Sequence, residues 1–408
     1  MKPFERSSTA NYSSKNMWKS VTGGILSTAL LTSASFVNAQ TEFKLGDDSG
    51  VTVGFGIRTS YTSTEKGAAN GINRSNDFAV DQARLFLSGH YGKIVKGTFN
   101  VEGTASTAQN GGDQFRLLDA IVQFEFAPEF NIWMGRMLPP QDRANGYGPF
   151  FALPWSYPGT VSGYPQISNG RDNGALVWGK LFGGKMTYSF GVFEGHNKLA
   201  GYSGVSDKLA LSGRLVAHLW DPEPAPAHLA GGWFGGSKDL LSIGLGAYSQ
   251  TDGVGSAARP GKLGIWNLDM LMEKKLSIGV PTLELAYYKY NLDAVDCNSG
   301  EPGAPACPAA PANANSGGMA DGKAFLAGVG FLFPQKVGWG QFQPYVRYQK
   351  FDRSLSNTVA KTTDFGLNYI IKGPNAKISA QYTKMEDTRL AVAARERNQF
   401  TLGVQLMY

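Results

Sequence analysis

From residue 51 to the end of the chain, apolar and polar residues alternate in one short stretch after another. A period of two is the signature of a β-strand, because successive side chains point to opposite faces of a sheet. In the first stretch the apolar residues are Val51, Val53, Phe55 and Ile57, with Thr or Gly between them. Glycine contributes 52 of the 408 residues, which fits many strands joined by tight turns. The chain is therefore predicted to be all-β.

Sixteen stretches of this kind are predicted as strands. They cover 51–61, 79–91, 94–104, 114–127, 130–138, 173–182, 185–195, 207–220, 239–250, 263–275, 281–292, 323–334, 341–352, 362–372, 376–386 and 397–408. Bacterial outer-membrane barrels have an even number of antiparallel strands, so the pattern predicts a 16-stranded antiparallel transmembrane β-barrel over 51–408. For 130–138 the alternation does not decide which side chains face lipid, because both Trp133 and the pair Ile132 and Met134 are apolar. The lipid-facing side chains of 173–182 are undecided too.

A soluble β-sandwich would alternate too, but three features favour a membrane barrel. Short turns, such as Gly92-Lys93, alternate with longer polar loops, such as 62–77 and 293–322, as in outer-membrane barrels. Aromatic residues gather near strand ends, where a membrane-interface girdle would place them. The last predicted strand ends on the aromatic Tyr408 and is similar to the strand that such barrels present to their assembly machinery. Spanning by helices is excluded, because the mean hydropathy is −0.21 and no apolar run of about 18 residues exists.

The first residues resemble an export signal. Lys15 and Lys19 precede a moderately apolar stretch that ends in small residues at Ala39. This pattern predicts a Sec signal peptide over 1–39, with Met17 as an alternative start. A short periplasmic segment, 40–50, would follow. The predicted location is the outer membrane of a Gram-negative bacterium. Loss of four basic residues from 38 and one acidic residue from 32 leaves a net charge of +3, too weak for a nucleic-acid partner.

The chain has two cysteines, Cys297 and Cys307, in a Pro-, Ala- and Gly-rich stretch. In an exported protein two nearby cysteines in such a segment predict a disulfide, which would staple the external loop 293–322. A metal site would need further ligands, and no histidine lies near. Neither a metal nor a cofactor is therefore predicted.

Sixteen strands leave an aqueous channel, whereas eight would fill their own lumen with side chains. Apolar residues of each strand would face lipid and polar residues would face the channel. The basic residues predicted to line the pore are Arg58, Arg84, Lys96, Lys185, Lys208, Arg214, Arg347 and Lys377. Seven acidic residues on the same faces nearly balance these eight: Glu102, Asp119, Glu125, Asp269, Glu273, Glu284 and Asp364.

The connection 139–172, called the long loop below, carries six aromatic residues, too many to stay in solvent. Long connections without structure of their own are usually functional or disordered. Folding back into the barrel would bury the rings and narrow the channel, which makes Arg143 and Arg171 the candidate anion-binding residues of a constriction. An external lid or a trimer contact is the alternative. Arg171 could also pair with Asp172 or a wall carboxylate and merely hold the end of the loop.

Two parts of the chain resemble a known family. Gly170 to Gly179 with the strand that follows, and Pro344 to Tyr348 with Asp364 to Tyr369, resemble the phosphate-selective porin O/P family. The resemblance implies a homotrimer whose third loop folds inward and whose lumen passes small anions or other small polar solutes. It also implies that clustered Arg and Lys near the constriction would set any selectivity for phosphate. The predicted function is passive diffusion of small hydrophilic solutes and ions through an anion-preferring, water-filled channel.

Catalysis and a purely structural role are the two other functions to consider for such a chain. Catalysis is not predicted, because His90, His196, His218 and His228 lie singly and no nucleophile motif accompanies them. A structural or sheath-type barrel that does not conduct stays as the alternative function. The connection 221–238 is long for a turn at the periplasmic end, and the sequence offers no reason for that length.

Overall fold

The computed structural model describes residues 41–105, 114–162, 170–195, 208–225, 229–256, 259–293 and 320–408. The predicted signal peptide and both cysteines, Cys297 and Cys307, lie outside the described residues, so the signal and the disulfide stay predictions. In the described part of the chain, no helix is long and apolar enough to cross a membrane.

The described residues form one antiparallel sheet of eighteen strands. The first nine are β1 (Thr41–Gly46), β2 (Ser49–Thr64), β3 (Ser75–Tyr91), β4 (Val95–Ala105), β5 (Gln114–Ala127), β6 (Phe130–Met137), β7 (Asp172–Leu181), β8 (Met186–Phe193) and β9 (Ala210–His218). The others are β10 (Leu240–Ser256), β11 (Arg259–Glu273), β12 (Val280–Leu292), β13 (Gly322–Leu332), β14 (Lys336–Val337), β15 (Gly340–Arg353), β16 (Thr358–Lys372), β17 (Ala376–Asp387) and β18 (Glu396–Met407). Helical structure in these residues is limited to α1 (Arg143–Gly146) and two short 3-10 turns, Phe182–Gly184 and Val392–Ala394.

Sixteen of these strands close into a ring. Each long strand pairs with its neighbour along the chain, and β18 pairs with β2 from Gln399↔Thr64 to Met407↔Gly56. The two short strands add to the ring without extending it: β1 pairs with the start of β2, and β14 lies in the turn before β15, while β13 pairs directly with β15. The predicted 16-stranded antiparallel barrel is confirmed.

Most strand boundaries fall within a few residues of the prediction. The largest difference lies at the end of β10, which continues to Ser256 where the prediction ended at 250, and β3, β11 and β16 each begin four residues earlier than predicted. These extensions are mostly polar or glycine-rich and carry little apolar alternation, so the pattern that marks the membrane-spanning part does not reveal them. The barrel also begins at Ser49, inside the segment 40–50 that was predicted to precede it, and β1 forms a hairpin with that first strand.

The outer face follows the predicted alternation. On β9, Leu211 and Leu215 are about half exposed, whereas the intervening Ser212 and Arg214 are buried. This is the pattern of a barrel that presents apolar side chains to lipid.

The inner face is apolar over much of the ring. Trp133 on β6 is 5% exposed and packs edge-to-face on Trp178 of β7, with ring centroids 5.6 Å apart, while Met134 is 59% exposed. The two tryptophans therefore point inward, which resolves the strands whose faces the sequence left open. They join a buried cluster that includes Leu176, Phe193, Tyr248, Ile265, Tyr288, Tyr290, Leu326 and Phe351, together with Ala144, Tyr147 and Val161 of the long loop. Where the long loop covers the inner face, apolar side chains take many positions that water would otherwise reach. We call the covered part of the wall, β6 to β13 with β15 to β17, the packed sector.

Candidate functional site

The long loop runs along the inner face and is held there by wall side chains. Its backbone carbonyls accept hydrogen bonds from three cations: Gln141 O from Arg214 Nη1 at 3.0 Å, Ala152 O from Lys377 Nζ at 2.9 Å, and Trp155 O from Arg58 Nη2 at 2.6 Å. Amide groups of the wall add further bonds. Asn368 donates to Leu153 O at 2.9 Å, and Gln405 on β18 donates to Phe150 O at 3.0 Å.

Wall carboxylates neutralise two of the arginines that the loop covers. Arg214 on β9 binds Asp269 on β11 with both terminal nitrogens, one on each carboxylate oxygen, at 2.6 and 2.7 Å. Paired, fork-to-fork contacts of this kind are among the strongest charge-assisted hydrogen bonds. Arg347 binds one oxygen of Asp364 from Nε at 2.9 Å and from Nη2 at 2.7 Å, and it also donates to Ser156 Oγ of the long loop at 2.7 Å.

Three of the predicted pore-lining residues are therefore covered. Arg214, Arg347 and Lys377 project from the inner face as predicted, but each is at most 4% exposed and lies beneath the long loop. The structure does not support the predicted water-facing role of these three, because the long loop covers them. They fasten the loop to the wall.

Three further predicted residues lie elsewhere on the barrel. Lys96 on β4 is paired with Glu125 on β5 at 2.5 Å. Lys185 lies in the turn before β8, where it donates to the carbonyl of Trp220. Lys208 precedes β9 and is 3.1 Å from Asp252. Lys185 and Lys208 are thus found at strand ends and not along the middle of the wall.

A cavity of about 590 Å³, called the open cavity below, lies inside the barrel. Strands β2 to β5 and β18 form one side of it, and the long loop forms the other. The charged residues in its lining are Arg58, Arg84, Arg116, Arg171, Asp81 and Glu102. Of the predicted residues, the structure brings Arg58, Arg84 and Arg171 together here, whereas Arg116 was not among the predicted pore-lining residues.

Arginines of the open cavity are held in defined positions. Arg84 donates to Glu102 from Nε at 2.9 Å and from Nη2 at 2.5 Å. Arg171 Nε donates to Asp119 at 3.1 Å, which is the wall-carboxylate contact considered for it from the sequence. The Arg58 guanidinium lies 3.9 Å above the Trp155 ring. Four arginines against Asp81, Glu102 and Asp119 leave one excess positive charge among these groups.

Arg143 is not in the lining of the open cavity. It begins α1 and is 1% exposed, with its two terminal nitrogens bound to Glu223 at 3.0 and 2.5 Å and Nε 3.6 Å from Asp269. Burial alone would raise the pKa of the Glu223 carboxyl, but the Arg143 guanidinium outweighs burial and holds that pKa at about 2. Because carboxylates occupy its guanidinium, the structure does not support the predicted anion-binding role of Arg143.

Neither Glu223 nor its link to the long loop was predicted from the sequence. The two residues of the pair are 80 positions apart, and no motif surrounds Glu223. The only signal was the unexplained length of the connection 221–238. Among the described residues, no group of His, Cys, Asp and Glu could hold a metal ion.

A closed ring of sixteen antiparallel strands with an apolar outer face and a lumen narrowed from inside is the architecture of an outer-membrane porin. Residues 317–408 match the family described as phosphate-selective porin O and P. This match and the fold support the assignment of the chain to that family, and the family predicted from the sequence is confirmed over this stretch. The protein is a bacterial outer-membrane channel.

Solved structures share the fold at low sequence identity. The anion-selective porin from Comamonas acidovorans is 16% identical with a TM-score of 0.58, and the match covers 88% of this chain and 100% of that one. OmpF of Salmonella typhi, in complex with daunomycin, is 12% identical with a TM-score of 0.57, covering 90% and 100%. The trimer form of OmpT from Vibrio cholerae is 11% identical with a TM-score of 0.52, covering 89% and 100%. Among curated protein sequences, none matches the chain.

Proposed function

We propose that the protein is an anion-preferring diffusion pore and that the open cavity is its constriction. The observation that carries this proposal is the set of four arginines, Arg58, Arg84, Arg116 and Arg171, in the lining of the open cavity. Confinement between low-dielectric walls strengthens the field of fixed charges. Rings of arginine in a pore favour anions and repel cations.

The balance of charge favours a general preference for anions over a strict phosphate site. Arg84 and Arg171 already share carboxylates, so a passing phosphate would compete with Glu102 and Asp119 for the same guanidinium donors. The excess positive charge still attracts small anions. Phosphate is then one permeant anion among several.

The long loop sets the width of this constriction. Its residues Trp155 and Tyr157 stand opposite the arginine-bearing strands, and Arg58 stacks on Trp155. We assign Arg171 two roles: its bond to Asp119 anchors the end of the loop, and its charge contributes to the lining of the open cavity.

We also propose that the barrel is a homotrimer embedded in outer-membrane lipid and inserted by the barrel assembly machinery. The trimer is supported by the resemblance to the porin O/P family and by the trimer form of OmpT, which has the same fold. The lipid partner is supported by the apolar outer face. Mass measurement in mild detergent tests the trimer, and a monomer would contradict it.

The decisive experiment is conductance of the purified protein in a planar lipid bilayer. A salt gradient of potassium chloride should give steady single channels with a reversal potential on the anion side, and added phosphate should reduce the chloride current. A barrel that inserts, resists SDS at room temperature and shifts mobility on boiling, yet never conducts, would instead support the sheath-type alternative. A reversal potential on the cation side would contradict the anion preference.

A further inference from the structure

The connection between β9 and β10 differs from the others at its end of the barrel. The turns between β3 and β4 and between β5 and β6 span only 92–94 and 128–129, whereas this connection spans 219–239. Its described residues, 219–225 and 229–239, are called the strap below. Glu223, Ala225, Ala230 and Trp233 of the strap are buried, although a turn outside a barrel would expose them.

Both ends of the strap are tied to inner-face side chains. Lys180 on β7 donates from Nζ to the Ala225 carbonyl at 3.2 Å. Glu273 on β11 accepts the backbone N–H of Phe234 at 2.9 Å and that of Gly236 at 2.6 Å. The strap therefore enters the lumen and does not cover the outside of the rim.

Trp233 of the strap contacts the inner face of strands beyond β10. Its ring is buried in an apolar cluster with Val280 of β12, Leu332 of β13 and Ile370 of β16. These strands lie several positions around the ring from β9, where the strap begins. Leu153 of the long loop belongs to the same cluster, so the strap and the loop share one core.

The strap and the long loop also share backbone and charge contacts. Gly232 N–H donates to Phe151 O at 3.0 Å, and Arg143 Nη1 donates to Gly231 O at 3.0 Å as well as to Glu223. Separating a buried ion pair exposes one charge without its partner, which is strongly unfavourable. The Arg143–Glu223 pair thus locks the two segments into one layer. The other charged or titratable groups that act on the pair are His218, Asp269, Glu284, Arg214 and Lys180.

We propose that the strap is the second half of the constriction and determines its selectivity. It supports the long loop from the short-turn end and closes the lumen along the packed sector, so that solutes pass only through the open cavity. This inference rests on the proposed function as a conducting pore. Loosening the strap would open a second route that bypasses the arginines.

A reversible crosslink tests the position of the strap without relying on conductance. A Cβ placed on Gly146 would lie 3.5 Å from Ala230 Cβ, within the range of disulfides. In a chain carrying Cys297→Ser and Cys307→Ser, the pair Gly146→Cys and Ala230→Cys should form a disulfide on oxidation and release it on reduction. Two thiols that stay free under oxidant in the folded barrel would overturn the proposal.

The functional test compares Glu223→Gln with wild type in planar bilayers. The variant keeps the side-chain shape but removes the charge, so we expect a larger unit conductance and a reversal potential shifted towards zero. The Gly146→Cys/Ala230→Cys disulfide in the Glu223→Gln chain should restore both values. Glu386→Gln, which breaks a half-exposed pair with Lys361 away from the strap, is the control and should conduct like wild type.

The outcomes separate this proposal from the one it rests on. Wild-type channels with anion preference, together with Glu223→Gln channels of unchanged conductance and selectivity, would overturn the role of the strap alone. A wild-type barrel that does not conduct would overturn the pore, while the crosslink would still report the position of the strap. If Glu223→Gln does not give an SDS-resistant barrel, Trp233→Leu serves as the second strap variant with the same expected result.

Discussion

Arg58 and Arg84 on β2 and β3 border the open cavity, whereas Arg214 and Arg347 on β9 and β15 lie beneath the long loop in the packed sector. All four project from the inner face of the same barrel, and all four satisfy the same alternation in the sequence. Arg58 and Arg84 bind Trp155 O and Glu102, but they also border a space of about 590 Å³. Arg214 and Arg347 bind loop atoms and a buried carboxylate and do not line that space. The path of the long loop, and not the strand that carries a residue, decides whether a wall charge meets solute or protein.

The nearly balanced charges of the wall have different effects in the packed sector and in the open cavity. In the packed sector, arginine and carboxylate form closed pairs whose field largely cancels, and these pairs attach the loop. In the open cavity only a few charged groups can contact a solute, so a single excess positive charge can set the preference for anions over cations. A count of basic and acidic residues over the whole wall therefore says little about selectivity.

The largest expected effect comes from breaking a pair in the packed sector. Arg347→Ala leaves the Asp364 carboxylate buried with the neutral donors Gln381 and Thr383. Loss of one partner of a buried pair costs about 3–5 kcal/mol, which should appear as a lower midpoint in urea unfolding of the reconstituted barrel. The double variant Arg347→Leu/Asp364→Leu removes both charges and should be clearly more stable than Arg347→Ala. Equal stability of the two would show that the pair does not fasten the loop.

The next effect is a dependence of stability on pH through Glu223. The pKa of this carboxyl is lowered from 4.5 to about 2 in the folded protein, so its contribution is present above pH 4.5 and is lost as the pH falls towards 2. A shift of this size corresponds to about 3 kcal/mol. Burial raises the pKa of Asp142, which gives the opposite sign and partly offsets the loss.

The measurement is the unfolding midpoint of wild type and Glu223→Gln between pH 7 and pH 2. Wild type should be the more stable at pH 6, and the difference should shrink below pH 4. A difference that stays constant over the whole range would show that the charge of Glu223 does not stabilise the strap.

A smaller effect is expected on ion selectivity, which distinguishes the open cavity from the packed sector. Arg171→Ala removes one of four arginines around the open cavity and should lower the anion-to-cation permeability ratio about two- to fourfold, since a unit charge ~10 Å away in water is worth about 0.4 kcal/mol. Arg143→Ala breaks the pair that locks the strap, so it should shift the ratio together with a larger unit conductance and a lower stability, as Glu223→Gln does. Reversal potentials at low salt, where screening is weakest, and unit conductances measure both variants. A larger increase of unit conductance in Arg171→Ala than in Arg143→Ala would reverse these assignments.

The smallest effect is expected for the external loop 293–322. A disulfide between Cys297 and Cys307 would stabilise this segment by roughly 2–3 kcal/mol on chain-entropy grounds. Reduction should nevertheless leave conductance unchanged, because the loop is predicted to lie outside the barrel and need not line the pore. Thiol labelling of protein purified without reductant checks the bond, and two reactive thiols would exclude it.

The strands and their outer faces could be predicted because lipid imposes one rule on every strand. The inner face obeys no single rule. Trp133 and Trp178 broke the alternation because a covering loop, and not water, lies against them. Glu223 could not be predicted as a partner of Arg143, since nothing local to either residue specifies a contact made across the lumen. The direction of Arg214, Arg347 and Lys377 was predictable, but what covers them was not.

The long loop also binds both strands at the seam where the ring closes. Arg58 on β2 and Gln405 on β18 hydrogen-bond to the backbone of the same loop, and the Trp155 ring lies so close to Gly403 that a Cβ there would be 2.5 Å from it. Strands from opposite ends of the chain lose much conformational entropy when they meet. A loop that binds both strands from inside offsets part of that cost. The seam and the loop share these contacts, so closure of the ring and seating of the loop stabilise each other.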